Sequence, residues 1–347
     1  MMNKIVTIWM SCLIVLPSLL GLFNYISDPN YYFGNNFELN VYRSGYNERQ
    51  MKANYLSLDK QVRYDSLILG ASRTTYLNAT SFKDQNVFNF SVSNMTSQEF
   101  IDYAIFFEQK NSTPKNIYLF VDFVGMLLQQ ESLIDETLSN INNPEYVFSN
   151  LLSFTSLKRS LNNTLRSYKR ETGHRAYLHN LDVAKDRVNT QKSKENIKNL
   201  ANIYYKEYEN KEKIDESSLI YKENLYEFSA KFSNSKITVT TTPISDQFLS
   251  YIYSNDLLFE TFIAWISLLC EVFGEINFMT YKNNFTSNFE LHSWDGNHIY
   301  PETFEDYFMV VNMSNLQYTK VLNKDNVSEY LNGLRQEKLA GNRINNI

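Results

Sequence analysis

The order of strand and helix patterns in residues 61–130 constrains the fold of this chain more than any other feature. The buried strand pattern YDSLILGAS, bounded by Gly70, is followed by a second strand pattern at 86–92 and a third at 115–123. An amphipathic helix pattern at 97–110 separates the last two strands. Strands that alternate with helices pair in parallel and are joined by right-handed crossovers. The pattern therefore predicts an α/β fold with a parallel sheet.

The sheet pattern resumes at 236–243 and 275–281, with a buried amphipathic helix at 256–273 between these strands. Residues 131–232 are instead rich in Asn, Lys, Glu and Tyr, and their helical periodicity predicts a helical insertion. Within it, residues 154–198 hold eleven Lys or Arg against four Asp or Glu. Such an excess indicates either a solvated helical face or a patch for an anionic polymer or lipid head groups.

The composition and net charge of the chain argue against several classes of function. With 347 residues and 43% hydrophobic content, the chain can bury a core in two domains, or in one α/β domain with an insertion. A net charge of −5 argues against a dedicated nucleic-acid binder. The two cysteines, Cys12 and Cys270, are far apart, and four histidines without a cysteine pair make a structural zinc site improbable. We expect no disulfide, no metal and no soluble cofactor.

The N-terminus predicts a membrane-spanning helix. Residues 5–23 are nineteen uncharged, mostly apolar positions, which at about 1.5 Å each come close to the roughly 30 Å hydrocarbon core. No Ala-x-Ala pattern follows, so an uncleaved signal anchor is favoured over a cleaved signal peptide. Lys4 precedes the run and Asp28 is the first charge after it, which indicates an extracytoplasmic remainder. The expected organisation is an anchor at 1–23 and one α/β domain at 24–347, carrying an insertion at about 131–232.

Two short segments carry residues suited to catalysis. Ser72 follows the first predicted strand, and ligands of open parallel sheets bind at the carboxyl ends of the strands. At the start of a helix, its hydroxyl would lie near backbone N–H groups and a helix dipole that could stabilise an oxyanion. Ser72 could equally serve only as a helix cap.

The second segment is Asp295-Gly296-Asn297-His298, near the end of the sheet pattern. An Asp and a His three residues apart on a turn can face one point, where the His would deprotonate a serine and the Asp would orient the His. The alternative is a loop in which Asp and Asn only form the turn. An early strand-end serine together with a late Asp-x-x-His, in a chain of this fold class, predicts a Ser-His-Asp triad.

These segments resemble the SGNH (GDSL-like) hydrolase superfamily, and within it the membrane-anchored, exported branch of polysaccharide O-acetylation proteins. The resemblance is carried by DSLILGASRT (65–74), DGNH (295–298), NYISDPNYYFG (24–34) and ERQMKANYL (48–56). It implies a flavodoxin-like three-layer sandwich and assigns Ser72 as the nucleophile, with Asp295 and His298 as the other triad members.

Two positions depart from the family pattern. The second family block offers a glycine N–H to the oxyanion, and Asn94 stands at the matching place; Asn tolerates the left-handed backbone, so its N–H could serve. The third block offers an Asn side chain, and Asp122 stands there instead. An ionised Asp122 cannot donate a hydrogen bond, so it is either structural or a binder of substrate hydroxyls. Arg73, next to Ser72, is a further oxyanion or substrate candidate.

The resemblance implies an exported serine-type O-acyl esterase or acyltransferase that acts on a cell-surface glycan or exopolysaccharide, without a cofactor. A membrane-embedded acyl-donor protein is the implied partner of the transferases. The altered second and third blocks leave open a catalytically inactive glycan-binding or scaffold protein of a polysaccharide-modifying complex. A surface adhesion or transport accessory protein, with the insertion as its binding element, is a further alternative.

Overall fold

The computed structural model describes residues 2–58, 62–82, 85–128, 131–141, 143–201, 210–308 and 318–344. The chain forms two compact units, which we call the N-terminal unit (Met1–Arg63 and Leu133–Asp186) and the sheet unit (Tyr64–Ser132 and Arg187–Ile347). The segment expected as one insertion is thus divided between them at residue 186, and residues 24–63 belong with its first part rather than with the sheet.

The helices are α1 Met2–Ser27, α2 Glu48–Leu58, α3 Ser97–Lys110, α4 Phe123–Leu127, α5 Ile134–Asn140, α6 Pro144–Leu151, α7 Phe154–Lys169, α8 Thr190–Ala201, α9 Lys211–Lys231, α10 Asp246–Ser254, α11 Asp256–Phe273, α12 Asn284–Ser287, α13 Pro301–Phe308 and α14 Val327–Ile344. The strands are β1 Ser66–Gly70, β2 Val87–Asn89, β3 Asn116–Val121, β4 Ala176–Tyr177, β5 Val183–Ala184, β6 Lys236–Thr241, β7 Glu275–Met279 and β8 Thr319–Asn323. Strands β4 and β5 form a small antiparallel ladder in the N-terminal unit.

The sheet unit is built on one six-stranded sheet of order β2-β1-β3-β6-β7-β8, in which β8 alone pairs antiparallel. Its five parallel strands, numbered in chain order, follow the sequence 2-1-3-4-5 of flavodoxin-like folds. The predicted α/β class with a parallel sheet is therefore confirmed. The strand order reverses between β1 and β3, and crevices at such a reversal are where ligands bind in open α/β sheets.

The central strands lie in an apolar interior on both sides. All five residues of β1, SLILG, are buried, and so are the last five of β3, NIYLFV. Near-continuous apolar runs are typical of parallel strands covered on both faces. Helices α3, α9, α11 and α14 pack against one another in succession. The helices predicted at 97–110 and 256–273 form with those bounds.

In the N-terminal unit, α1 is long and apolar enough to span a membrane or to act as a signal. Its last turn is built into the unit, because the Asn24 side chain donates to Leu151 O at 2.8 Å and accepts from Ser160 Oγ at 2.9 Å. Within the predicted helical insertion, residues 147–168 belong to two helices, α6 and α7. The break falls at Ser153, whose Oγ accepts from the backbone N–H groups that begin α7.

Candidate active site

Ser72 lies two residues beyond β1, at the carboxyl edge of the sheet. The chain turns tightly there, with Thr74 N–H donating to Ala71 O at 3.0 Å and the Thr75 hydroxyl donating to Ser72 O at 2.7 Å. A single 3-10 turn at Thr74–Tyr76 follows. The α-helix expected to start at Ser72 is therefore absent from this described segment, and the predicted helix-dipole contribution to an oxyanion is wrong.

The absence of a side chain at Gly70 allows this turn. A Cβ at that position would lie 2.8 Å from Phe120 O and would also clash with the Thr74 hydroxyl. Real Cβ atoms do not approach backbone oxygens that closely, so only glycine fits between β1 and β3 at the point where the chain leaves the sheet. The residue that bounds the predicted strand thus also fixes the start of the turn that carries Ser72.

The Asp295–His298 segment forms a turn held by the Asp295 carboxylate. Asp295 Oδ1 accepts from Asn297 N–H at 2.9 Å and from His298 N–H at 2.8 Å. Gly296 supplies the left-handed backbone of this turn, with φ +85°. Because one carboxylate oxygen is used to close the turn, the other is directed at the His298 ring.

The three side chains predicted as a triad form a continuous hydrogen-bonded chain. His298 Nδ1 is 2.8 Å from Asp295 Oδ2, and His298 Nε2 is 2.9 Å from Ser72 Oγ. Ser72 and His298 are 226 positions apart in the sequence. The arrangement has the order needed for a serine nucleophile: hydroxyl, imidazole base, and a carboxylate that orients the imidazole.

Aromatic contacts hold the His298 ring in place. The Trp294 indole stacks on it, with ring centroids 5.6 Å apart and planes 10° apart. Tyr76, from the turn after Ser72, lies at 5.5 Å in a tilted arrangement, and it also meets Trp294 edge-on at 4.7 Å. Tyr76 and Trp294 are both buried. These contacts restrict the rotation of the imidazole, so its two nitrogens keep their separate partners.

Asp295 is ionised over the whole physiological pH range. Burial acts to raise its pKa, but the electrostatic interaction with His298, the His298 ring hydrogen bond and the two backbone N–H groups outweigh it and lower the pKa to about 2. An ionised Asp295 accepts the Nδ1 proton of His298, which leaves Nε2 as the nitrogen that can accept from Ser72.

Arg73 ties the serine turn to the histidine turn. Its buried guanidinium donates through Nε to Asn297 O at 3.0 Å and through Nη2 to Asn297 Oδ1. Its Nη1 donates to Thr242 Oγ1 at 3.3 Å and lies 3.6 Å from Asp122 Oδ1. These contacts join the ends of β1, β3 and β6 to the loop that carries His298. Arg73 therefore has the contacts of a positioning residue.

The Arg73 contact also sets the orientation of the Asn297 amide. Because Asn297 Oδ1 accepts from the guanidinium, its Nδ2 is the group that faces His298 Nε2, at 3.4 Å. A donor beside Nε2 favours the imidazole form with a free lone pair on that nitrogen. Arg73 thus acts on the base through Asn297, although Arg73 has no direct hydrogen bond to His298 among those described.

Asp122 sits directly after β3 and caps α4. Its Oδ1 accepts from Gly125 N–H at 2.7 Å, and the Arg73 guanidinium lies beside it. Both roles are structural, so of the two alternatives predicted for Asp122 the contacts favour the structural one. The Arg73 charge also offsets the negative charge that Asp122 would otherwise bring to this edge of the sheet.

Asn94 lies in the exposed turn after β2 and has the left-handed backbone expected of it, with φ +53°. The segment before it continues alongside the end of β1, where Val92 N–H donates to Gly70 O at 3.2 Å. The Asn94 turn is therefore adjacent to the strand end from which Ser72 projects. Its assignment as an oxyanion donor stays a prediction.

Replacing Asp122 with asparagine is expected to lower the free energy of unfolding more than it lowers the reactivity of Ser72. The amide oxygen can still accept from Gly125 N–H, but the buried Arg73 loses its countercharge, so we expect the free energy of unfolding to fall by about 1–3 kcal/mol. The reactivity of Ser72 in the folded variant should stay within about tenfold of the wild type. Urea unfolding and ester hydrolysis measure the two effects. A folded Asp122→Asn protein as inactive as a Ser72 variant would place Asp122 in the catalytic set instead.

Four residues described above at the site were not predicted from the sequence: Tyr76, Thr242, Trp294 and Asn297. Asn297 and Trp294 stand inside or next to the Asp-x-x-His segment, and that proximity was the available signal for them. Thr242 follows β6 and reaches the site only because β6 pairs with β3, with Thr242 N–H donating to Val121 O at 2.9 Å.

Comparisons with known proteins give one distant likeness in fold. A solved structure from Streptococcus pneumonia, described provisionally as a platelet activating factor, covers 76% of this chain and 92% of its own, at 11% identity and a TM-score of 0.34. No family model matches the chain, and no curated protein matches it. A likeness at this distance carries no assignment of function, which is argued below from the geometry of the site.

Proposed function

We propose that the chain is a serine-type O-acyl esterase or acyltransferase. The observation that carries the proposal is the hydrogen-bonded chain from Ser72 through His298 to the ionised Asp295. A serine that only capped a helix would need a helix to begin beside it and would not need a base, but in the described segment no α-helix begins at Ser72, and the His298 ring contacts its hydroxyl. If Asp295 and Asn297 only formed a turn, the second oxygen of the Asp295 carboxylate would not need to contact the His298 ring.

In the proposed reaction, Ser72 Oγ attacks the acyl carbonyl carbon while His298 Nε2 takes the hydroxyl proton. The tetrahedral intermediate collapses when His298 returns that proton to the leaving alcohol, and the acyl group stays on Ser72. Water or a second hydroxyl then gives up its proton to His298 as its oxygen attacks the acyl carbon. The bond from that carbon to Ser72 Oγ breaks, and His298 returns the proton to Ser72. Hydrolysis and transfer share every step up to the choice of this acceptor.

Backbone N–H groups are the proposed stabilisers of the oxyanion. The carboxylate of Asp122 has no proton to donate, so the family's side-chain donor is missing at that position. The N–H of Ser72 and that of Asn94 are the candidates, because the Asn94 turn lies beside the end of β1. Fixed backbone dipoles of this kind are worth several kcal/mol to a developing negative charge.

The proposed substrate is an O-acylated glycan outside the cytoplasm, as the resemblance implies, with a membrane-embedded acyl-donor protein as the partner if the reaction is transfer. The proposed location is the outer face of a membrane, with α1 retained as a single-pass anchor. Support for retention comes from the last turn of α1, where Asn24 and Ser27 hydrogen-bond to α7 and to the residues that precede it. Cleavage before Asn24 would place a free N-terminus at this junction, beside the backbone oxygens of Leu151 and Ser160 that accept these hydrogen bonds.

A fluorophosphonate probe tests the proposal, because it phosphonylates serines that are activated as nucleophiles, with fluoride as the leaving group. We expect full-length protein in detergent to be labelled at Ser72, identified by mass spectrometry of the labelled peptide. Labelling should disappear after heat denaturation, since the activation depends on the folded contact with His298. An unlabelled, folded protein would contradict the enzyme and favour the alternative of a glycan-binding scaffold.

A further inference from the structure

Helix α7 turns its polar face inward and its apolar face outward. Ser156, Ser160 and Asn163 are buried. They are held by hydrogen bonds within the N-terminal unit, where Asn163 Oδ1 accepts from Ser44 N–H at 3.1 Å. On the other side, Phe154 is 80% exposed and Tyr168 is 87% exposed. Surface helices of globular proteins have the opposite polarity, because water is their outer medium. The inverted pattern of α7 indicates an apolar outer medium.

The exposed apolar residues form one row, which we call the α7 stripe: Phe154, Leu161, Leu165 and Tyr168. Their spacings of seven, four and three residues put them on a single side of the helix, over four turns. Several large apolar side chains exposed together on one face are typical of a site of contact with a protein or a membrane.

Two contacts place α7 at the end of the apolar span of α1. Asn24 donates to Ser153 O at 3.4 Å and accepts from Ser160 Oγ at 2.9 Å. Positions seven residues apart on a helix are separated by about 10 Å along its axis, so α7 crosses α1 at Asn24 rather than running beside it. The mostly apolar run predicted to span the membrane ends at residue 23, and Leu152 lies against Gly21. A membrane that holds this run would have its boundary at the level of α7.

The charge of α7 suits an anionic surface. Its sixteen residues include four Lys or Arg and no acidic residue. Lys158, in line with the stripe, and Lys169, beside its far end, are both exposed. Helices that lie in a membrane interface combine aromatic and leucine side chains on one face with lysines whose long stems reach the headgroups.

We propose that α7 lies in the membrane interface, with the α7 stripe among the lipid acyl chains and its lysines at anionic headgroups. The proposal rests on the proposed membrane anchoring by α1 and is independent of the proposed esterase chemistry. It gives the N-terminal unit a second contact with the bilayer, which fixes the orientation of the unit about the α1 axis.

Lipid-depth quenching tests the proposal on the full chain in nanodiscs of phosphatidylcholine and phosphatidylglycerol, with one chain per disc. A nitrobenzoxadiazole fluorophore is attached at Leu165→Cys in a Cys12→Ser background, since the other cysteine, Cys270, is buried. The matched control is Leu219→Cys on α9, because Leu219 and Leu165 are 58% and 54% exposed. Lipid carrying a nitroxide at acyl carbon 5 should quench the fluorophore at 165 at least threefold more than at 219. Leu161→Cys gives a second position on the stripe.

Equal quenching at positions 165 and 219 in a membrane-anchored chain would overturn the proposal. Protection of position 165 from aqueous iodide without quenching by lipid would overturn it as well, because it would mean that protein covers the stripe. Carbonate extraction of the membranes tests the anchor separately, and release of the full-length chain would remove the premise. Ester hydrolysis by the same discs reports on the proposed chemistry, so a failure there is told apart from a failure of α7 to meet lipid.

Discussion

Ser72→Ala protein is expected to lose ester hydrolysis by roughly three to six orders of magnitude while staying folded. Ser72 Oγ is the atom that would form the covalent bond, and it is the hydroxyl that His298 Nε2 contacts at 2.9 Å. Removal of one hydroxyl from a half-buried turn residue leaves the Thr75 contact to the Ser72 backbone oxygen in place. An activated aryl acetate is a suitable substrate, because its good leaving group makes acyl-enzyme formation measurable without knowledge of the natural glycan.

The matched control is Ser250→Ala, a serine on the exposed face of α10 whose hydroxyl donates only to its own helix, at Asp246 O. This variant should hydrolyse the ester at the wild-type rate. Comparable losses in both variants would trace the activity to a contaminant or to instability. Full activity in folded Ser72→Ala protein would show that another group performs the reaction and would remove the basis of the proposed mechanism.

Much of the sheet could be predicted because its strands are local apolar runs. Strands β1, β3 and β6 are continuous apolar or β-branched segments, and the helix boundaries of α3 and α11 follow from periodicity alone. Strand β8 was not predicted, since its antiparallel edge pairing leaves only one of its five residues buried and gives a short, mixed pattern. Hydrophobic periodicity arises from burial of one face of an element, so an element that is only partly buried has a weak hydrophobic pattern.

The division of the chain was harder to predict than its elements. Residues 24–63 join residues 133–186 in one unit although residues 64–132 of the sheet unit separate them in the sequence. Several of the contacts that join these segments are polar and long-range, such as the hydrogen bond of Tyr177 to Glu48, at 2.7 Å. No periodic pattern in the sequence predicts a pairing of this kind, and the segments that carry the family resemblance lie outside residues 131–232.

The candidate site likewise contains residues that the sequence predicts and roles that only the folded contacts show. Ser72, Asp295 and His298 could be named because each stands in a short segment with a recognisable turn chemistry. Arg73 could be named as a neighbour, but its role in holding Asn297 depends on two loops 224 residues apart meeting in space. The role of Asp122 follows from its contact with Arg73, because the guanidinium offsets the negative charge of the carboxylate.

Asp295→Asn protein should fold and should lose activity by about three to four orders of magnitude. The amide oxygen of Asn can replace Asp295 Oδ1 and keep the hydrogen bonds from Asn297 and His298 N–H, so the turn survives. The amide nitrogen then faces His298 Nδ1 as a donor. That reverses the tautomer, moves the ring proton to Nε2, and leaves the base without a lone pair for the Ser72 proton.

The same substitution has a signature in stability that a merely misfolded variant would not give. The pKa of Asp295 is lowered to about 2 in the folded protein from its ordinary value of 3.8, so its ionisation stabilises the fold above about pH 4, and that contribution is lost as the pH falls towards 2. In Asp295→Asn protein this contribution is absent at every pH. The difference in melting temperature between wild type and variant should therefore shrink from pH 5 to pH 2, as measured by differential scanning fluorimetry in parallel. A difference that is constant over this range would mean that Asp295 is not held as the charged partner of His298, and a variant with near wild-type activity would mean that the carboxylate does not set the tautomer of the base.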